Sequence, residues 1–201
     1  MACLFLTSVS TNAQLSKLDR ATLEEISEDR KAKSTEFYKF ISNSTNYISM
    51  GMPVSLFIAG VITEDKGLKK SALVAGESIV VSTLFTYALK NTVKRPRPYT
   101  VDSLIIKIGP GGGYSFPSGH TSEAFALATS LSMSYPKWYV IGPAYLWAST
   151  VAYSRMYLGV HYPTDILAGA IVGSGSAYLS HKFNHWINQK HEKKLSVAFA
   201  Y

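Results

Sequence analysis

Five apolar stretches, 47–63, 71–89, 121–135, 138–153 and 165–179, alternate with charged ones along the chain. Their lengths predict helices. Crossing a bilayer takes about 20 apolar residues, with about 17 as a lower limit, so the third and fourth stretches need flanking residues to reach that span. Trp138, Tyr139, Trp147 and Tyr153 are placed to anchor such helices at a membrane interface. The pattern predicts an all-α, membrane-embedded bundle of five to six transmembrane helices. A soluble all-α domain with the same stretches buried inside it is the competing architecture.

Residues 14–46 are polar and charged, and predict an amphipathic helical segment lying on the membrane or on the domain. Thr22 and Glu25 have the spacing of a capping box for a helix through Glu24, Ile26, Asp29 and Lys31. A second helical stretch follows Ser34, with Phe37, Tyr38, Phe40 and Ile41 on it. The opening 1–13 is apolar and then small and polar; it reads as signal-like, with cleavage near Ala13 or Gln14, or as a first membrane segment. The expected division is therefore 1–13, 14–46, a main helical domain at 47–185, and a basic tail at 186–201.

Composition narrows the partners. The chain has 201 residues, a length for one domain, with 47% hydrophobic residues, net charge +7 and a pI near 9.4. The positive charge sits between and after apolar stretches, with no basic stripe interleaved with exposed aromatics. That distribution fits membrane-flanking loops and an anion site and excludes a nucleic-acid surface. The single cysteine, Cys3, excludes an intrachain disulfide and any cysteine-based metal site.

Three motifs fall in the connections between apolar stretches. Lys90 is followed after six residues by Arg97-Pro98; Pro117-Ser118-Gly119-His120 precedes the third stretch; Ser154-Arg155 is followed after five residues by His161 and after three more by Asp165. Lysine and two arginines supply fixed positive charge for a tetrahedral oxyanion, the arginines as planar forks. Ser118 and the N–H groups of Ser118 and Gly119, at a helix start, supply further donors. His161 suits a nucleophile, with Asp165 one helical turn on to accept the proton of its other ring nitrogen. His120 suits a general acid.

These motifs, from Lys90 to Asp165, resemble the signature of the type 2 phosphatidic acid phosphatase (PAP2) superfamily in every fixed position. The resemblance implies a PAP2-like helical bundle. It implies catalytic His161, His120 and Asp165, and phosphate contacts from Lys90, Arg97, Ser118, Gly119 and Arg155. No cofactor and no metal are implied: there is no acidic cluster or His/Cys set with ligand spacing, and three cations do for phosphate what a divalent metal would. The expected enzyme is a phosphatase of a lipid phosphate monoester or pyrophosphate, such as lipid A, phosphatidylglycerophosphate, undecaprenyl pyrophosphate or phosphatidic acid, acting through a phosphohistidine. The alternative is a soluble or secreted non-specific acid phosphatase of the same superfamily; a vanadium haloperoxidase is a third reading.

The lysines of loop 64–70, Lys137 and the tail after Ser180 would be cytoplasmic by the positive-inside rule, leaving loops 90–120 and 154–164 outside. That places the protein in a bacterial cytoplasmic membrane as a multi-pass chain, its site facing the periplasm or exterior, with a phospholipid or lipid-linked phosphate as substrate. Lys94 and Arg95 lie outside the pattern and read as solvated charges at the membrane surface, or as attractants for anionic headgroups. Glu77 and Glu123, inside apolar stretches, are candidates for function, Glu123 for orienting His120 or Lys90. The glycine run 109–113 reads as a turn or a lid hinge.

Overall fold

The structure, a computed structural model, describes residues 17–198, with side chains through 190. The signal-like opening, with Cys3, Ala13 and Gln14, lies outside the described residues. Among the described residues seven helices follow one another: α1 (Lys17–Glu28), α2 (Ala32–Ile62), α3 (Lys66–Val93), α4 (Pro98–Val101), α5 (Gly119–Ser134), α6 (Trp138–Tyr157) and α7 (Pro163–Ala198). No strand occurs among the described residues.

Local chemistry sets the corners. Between α2 and α3 the Asp65 carboxylate accepts from the N–H groups of Gly67 and Leu68 at 2.7 and 3.1 Å, a helix cap. Gly60 lets the end of α2 close on the start of α3, where a Cβ would lie 2.8 Å from the Lys69 nitrogen. α3 stops where Lys94 turns left-handed, and Arg95 precedes Pro96. Pro98 and Pro163 open α4 and α7, where a missing N–H costs nothing.

α5 is the central helix, packed against α2, α3, α6 and α7. Ala124 and Ala128 on it meet Ala148 and Val151 of α6 in a small-residue core. On the other side α7 presents Gly169 and Gly173, one turn apart, to the backbone of α5. Small residues at such a crossing let two helices approach closely. Because the connections 63–65, 135–137 and 158–162 are short, the chain runs up and down. The C-terminal ends of α3 and α6 and the N-terminal ends of α5 and α7 therefore share one end of the bundle, where all three motifs sit.

The outer surface is apolar. Tyr47, Met50, Val54, Ile58 and Ile62 on α2, Leu73, Val80 and Leu84 on α3, Trp138 and Leu146 on α6, and Leu167, Ile171 and Leu179 on α7 are all exposed. Contiguous apolar surface on this scale is unstable in water and stable in lipid, so the fold is a membrane-embedded all-α bundle. Of the described helices, α2 and the stretch Lys66–Val101 are long and apolar enough to cross a membrane by length and composition.

Two local expectations are corrected. Thr22 does not cap a helix: α1 already includes Lys17, and burial of Asp19 and Leu23, one turn apart, holds it there. The change from polar to apolar sequence near residue 47 is no element boundary, because α2 runs unbroken from Ala32 to Ile62. Its buried Ser42, Thr45, Ser49 and Pro53 lie on one face across that point. Its polar end lies on the domain, where Tyr38 packs on Tyr157 and Tyr153 with ring centres 4.4 and 5.2 Å away.

The crossing of α5 and α7 yields a paired prediction. In an open helix Gly→Ala gains about 1 kcal/mol. A Cβ at Gly173 would lie 2.2 Å from the Ser122 carbonyl oxygen, whereas at Gly175 nothing lies within 4 Å. Gly173→Ala should lower the thermal unfolding midpoint in detergent, and Gly175→Ala should leave it level or raise it.

Candidate active site

His161 and Asp165 form the centre of the shared end. His161 lies in the 158–162 connection and Asp165 in the first turn of α7; they are 2% and 0% exposed. His161 Nδ1 lies 3.3 Å from Asp165 Oδ2. An ionised carboxylate only accepts, so Nδ1 carries the proton and Nε2 presents its lone pair. The same Oδ2 accepts from the Tyr162 N–H at 3.0 Å and from the Ser115 hydroxyl in a short contact. Oδ1 accepts from Arg95 Nη1 at 2.7 Å.

Arg97 is buried beside this pair, its Nη1 3.2 Å from His161 Nε2. The glycine run wraps the guanidinium. Nε donates to the Gly113 carbonyl at 3.1 Å, Nη2 to that of Gly112 at 2.8 Å, and Nη1 to that of Val160 at 2.8 Å. A Cβ on Gly111 would lie 3.0 Å from Arg97 Nη1 and 3.2 Å from Val160, so glycine lets the segment lie close there. Residues 109–113 are therefore the seat of a cation.

Arg155, near the end of α6, is 1% exposed. It donates from Nη2 to the Pro110 carbonyl at 2.7 Å and from Nη1 to Ser42 Oγ, tying α2 to the site. Its Nε is buried with no acceptor among the described residues. Lys90, in the last turn of α3, donates to the Tyr114 and Ser115 carbonyls at 2.8 and 3.3 Å. His120, half-buried on the first turn of α5, stands in the field of Arg155, Arg97 and Lys90.

Ser118 differs from expectation in one respect. Its N–H donates to the Asp165 carbonyl at 3.1 Å, so that group ties α5 to α7 and is not a free donor. Its hydroxyl accepts from Thr121 Oγ1 at 2.9 Å and keeps its own proton to donate. Gly119 opens α5 with Thr86 of α3 as the nearest side chain. Of the two glutamates, Glu77 accepts from Asn184 far from this end. Glu123 lines an apolar groove of about 430 Å³ between α2 and α3.

Arg95 was expected as a solvated charge and is instead buried, 9% exposed. It bridges two carboxylates, Asp165 at 2.7 Å and Asp19 of α1 at 2.8 Å, and lies over the Tyr162 ring at 3.9 Å. Sequence reading also missed Asp19, Ser115 and Thr164. No local signal marks these residues, because their contacts join segments far apart in the chain. Lys94, one residue before Arg95, is the exposed one.

Burial dominates the His161 imidazole and pushes its pKa down to about 3. The hydrogen bond to Asp165 opposes that shift, and Arg97 and Arg155 reinforce it. The ring is thus held neutral.

The model of the PAP2 superfamily matches residues 71–189, more than half of the chain. A lipid A 4'-phosphatase of Bacteroides thetaiotaomicron is 38% identical over 87 residues, covering 43% of this chain and 39% of that protein. An undecaprenyl-diphosphatase of Sulfolobus acidocaldarius is 32% identical over 117 residues, covering 57% of this chain and 56% of that protein. The chain thus spans about half the length of these curated relatives or less. Among solved structures, that of Aquifex aeolicus LpxE aligns with TM-score 0.74 and 27% identity, covering 83% of this chain and 96% of that one.

A pH prediction follows from His161. Its pKa in the fold lies below the usual value of about 6.5, so its contribution to stability is complete above 6.5 and is lost as the pH falls toward 3. The unfolding midpoint of the parent should fall more steeply between pH 6.5 and 4 than that of His161→Asn, measured by thermal unfolding in one detergent.

Proposed function

We propose that this chain, which belongs to the PAP2 superfamily, hydrolyses a lipid phosphate monoester or pyrophosphate through a phosphohistidine. The observation that carries the reading is the buried His161–Asp165 pair, with Nε2 aimed at the guanidinium of Arg97. The relatives named for lipid A and undecaprenyl phosphates support a lipid-linked substrate.

In the first step His161 Nε2 attacks phosphorus. The P–N bond forms as the bond to the leaving oxygen breaks, and His120, which holds a proton once the bound phosphate's negative charge offsets the surrounding cations, gives that proton to the oxygen. Positive charge that develops on the imidazole is offset by Asp165, which keeps the Nδ1 proton hydrogen-bonded without taking it. In the second step water attacks phosphorus, His120 takes its proton, and the P–N bond breaks to release inorganic phosphate and neutral His161.

The cations act on the phosphoryl oxygens, where preorganised donors lower the barrier most. As the substrate enters, the Arg97 N–H that faces Nε2 donates to a phosphoryl oxygen instead, which frees the Nε2 lone pair. Arg155 supplies its unshared Nε–H, Lys90 a point charge, and Ser118 its hydroxyl, with the Gly119 N–H at the start of α5. These groups neutralise the phosphate without a divalent metal.

The 64–70 and 135–138 loops, whose lysines favour the cytoplasm, join helices at the end of the bundle opposite the motifs, which supports a site at the outer membrane surface. We therefore place the protein in a bacterial cytoplasmic membrane with the site facing the periplasm or exterior. A soluble acid phosphatase is disfavoured by the exposed apolar side chains on α2, α3, α6 and α7.

The test is phosphate release by detergent-purified protein with EDTA present, from lipid A, phosphatidylglycerophosphate, undecaprenyl pyrophosphate and p-nitrophenyl phosphate. Turnover should persist in EDTA, favour one lipid, fall to background in His161→Ala, and be inhibited by vanadate. Equal or better turnover of the soluble ester, or substantial activity in His161→Ala, would contradict it.

A further inference from the structure

Arg95 and Asp19 form a device that the motifs do not contain. Arg95 Nη1 reaches Asp165 Oδ1 and Thr164 Oγ1, each at 2.7 Å, while Nη2 reaches Asp19 Oδ2 at 2.8 Å. Thr164 closes the ring: its hydroxyl donates to Asp19 Oδ2 at 2.7 Å and its N–H to Asp19 Oδ1 at 3.1 Å. Asp19 thus satisfies a free N–H in the first turn of α7, the helix that carries Asp165. Leu23, one turn along α1, packs on Tyr162 and Ile105. The α1 helix lies outside the residues matched by the family's model.

From this geometry we infer that α1 is a clip that positions the nucleophile, with Asp19 anchoring Arg95 and Arg95 fixing the carboxylate that orients His161. Neither residue touches the phosphoryl group; both are positioning residues, acting through Asp165. An arginine is required because one planar fork must span two carboxylates and a hydroxyl, which a lysine point charge does not. Its cation also compensates a second buried carboxylate, and one buried charge left alone would be costly. The inference rests on the phosphohistidine reading for its kinetic consequence but not for its effect on the ring.

The two neutral substitutions have opposite electrostatic signs. Arg95→Gln leaves the anions of Asp165 and Asp19 uncompensated near His161, so the ring protonates at higher pH. Asp19→Asn leaves Arg95 paired with Asp165 alone, so the ring protonates at lower pH. A loss of packing alone would move both the same way. Histidine-selective 15N NMR of the full chain in detergent, with His161 assigned by His161→Asn, reads protonation and tautomer directly. The expected outcome is those opposite shifts, with parent and Arg95→Lys showing Nδ1–H.

Kinetics with p-nitrophenyl phosphate form the second arm. Each neutral variant should lose about tenfold to 10²-fold in kcat, the scale of a misplaced reacting group, with KM little changed. Arg95→Lys should keep the parent titration yet recover kcat only in part, and exposed Lys94→Gln should match the parent. Shifts of the same sign, or folded Arg95→Gln and Asp19→Asn with parental kcat, would overturn the inference. If Arg95→Gln does not fold, Asp19→Asn and Arg95→Lys decide it. An inactive parent would sink the phosphatase reading while the NMR arm still judged the clip.

Discussion

A buried carboxylate must be compensated, and Asp165 is compensated from every side. Its two oxygens accept from Arg95 after α3, from Ser115 before α5, from Tyr162 N–H and from His161, and its carbonyl accepts the Ser118 N–H. An ionised group fully removed from water is tolerated only when such partners are present. Satisfying it draws the three motif-bearing segments to one point, so the condition that stabilises the charge also assembles the site.

The same economy governs the arginines. Arg97 and Arg155 are nearly enclosed, yet their donors are occupied chiefly by backbone carbonyls of residues 110–113 and 160. Carbonyl dipoles fix the direction of a guanidinium without cancelling its charge, which is what an anion site requires. Gly111 serves that end, since its missing side chain lets the segment lie close to Arg97. The lipid-facing helices carry chemistry only at their ends, with Lys90 on α3, Arg155 on α6 and Asp165 on α7. They hold the ends of α3, α5, α6 and α7 together and put the site at the edge of an apolar body.

Much of this was legible in the sequence. The five apolar stretches mark the five long helices, and the motif positions bring the basic residues and the His161–Asp165 pair to one end of the bundle, because those contacts are either local or set by helix ends. What was not legible depends on long-range geometry. Arg95 looked like one of several basic residues at a membrane edge, and only the docking of α1 across the start of α7 shows it buried between two carboxylates. Thr22 looked like a cap because its spacing to Glu25 is right, but the packing of Asp19 and Leu23 outweighs that local preference. The Ser118 N–H looked available until the closeness of α5 and α7, permitted by Gly169 and Gly173, gave it a partner.

The central claim, that Asp165 holds a neutral His161 to form a covalent bond with phosphorus, is most directly tested by trapping the intermediate. Purified protein turning over substrate would be quenched in alkali, where phosphohistidine survives, and digested for mass spectrometry. The account predicts a phosphoryl group on His161, accumulating in His120→Ala with a good leaving group because hydrolysis of the intermediate is slowed. A phosphorylated residue other than His161, or hydrolysis proceeding in His161→Ala without one, would contradict it.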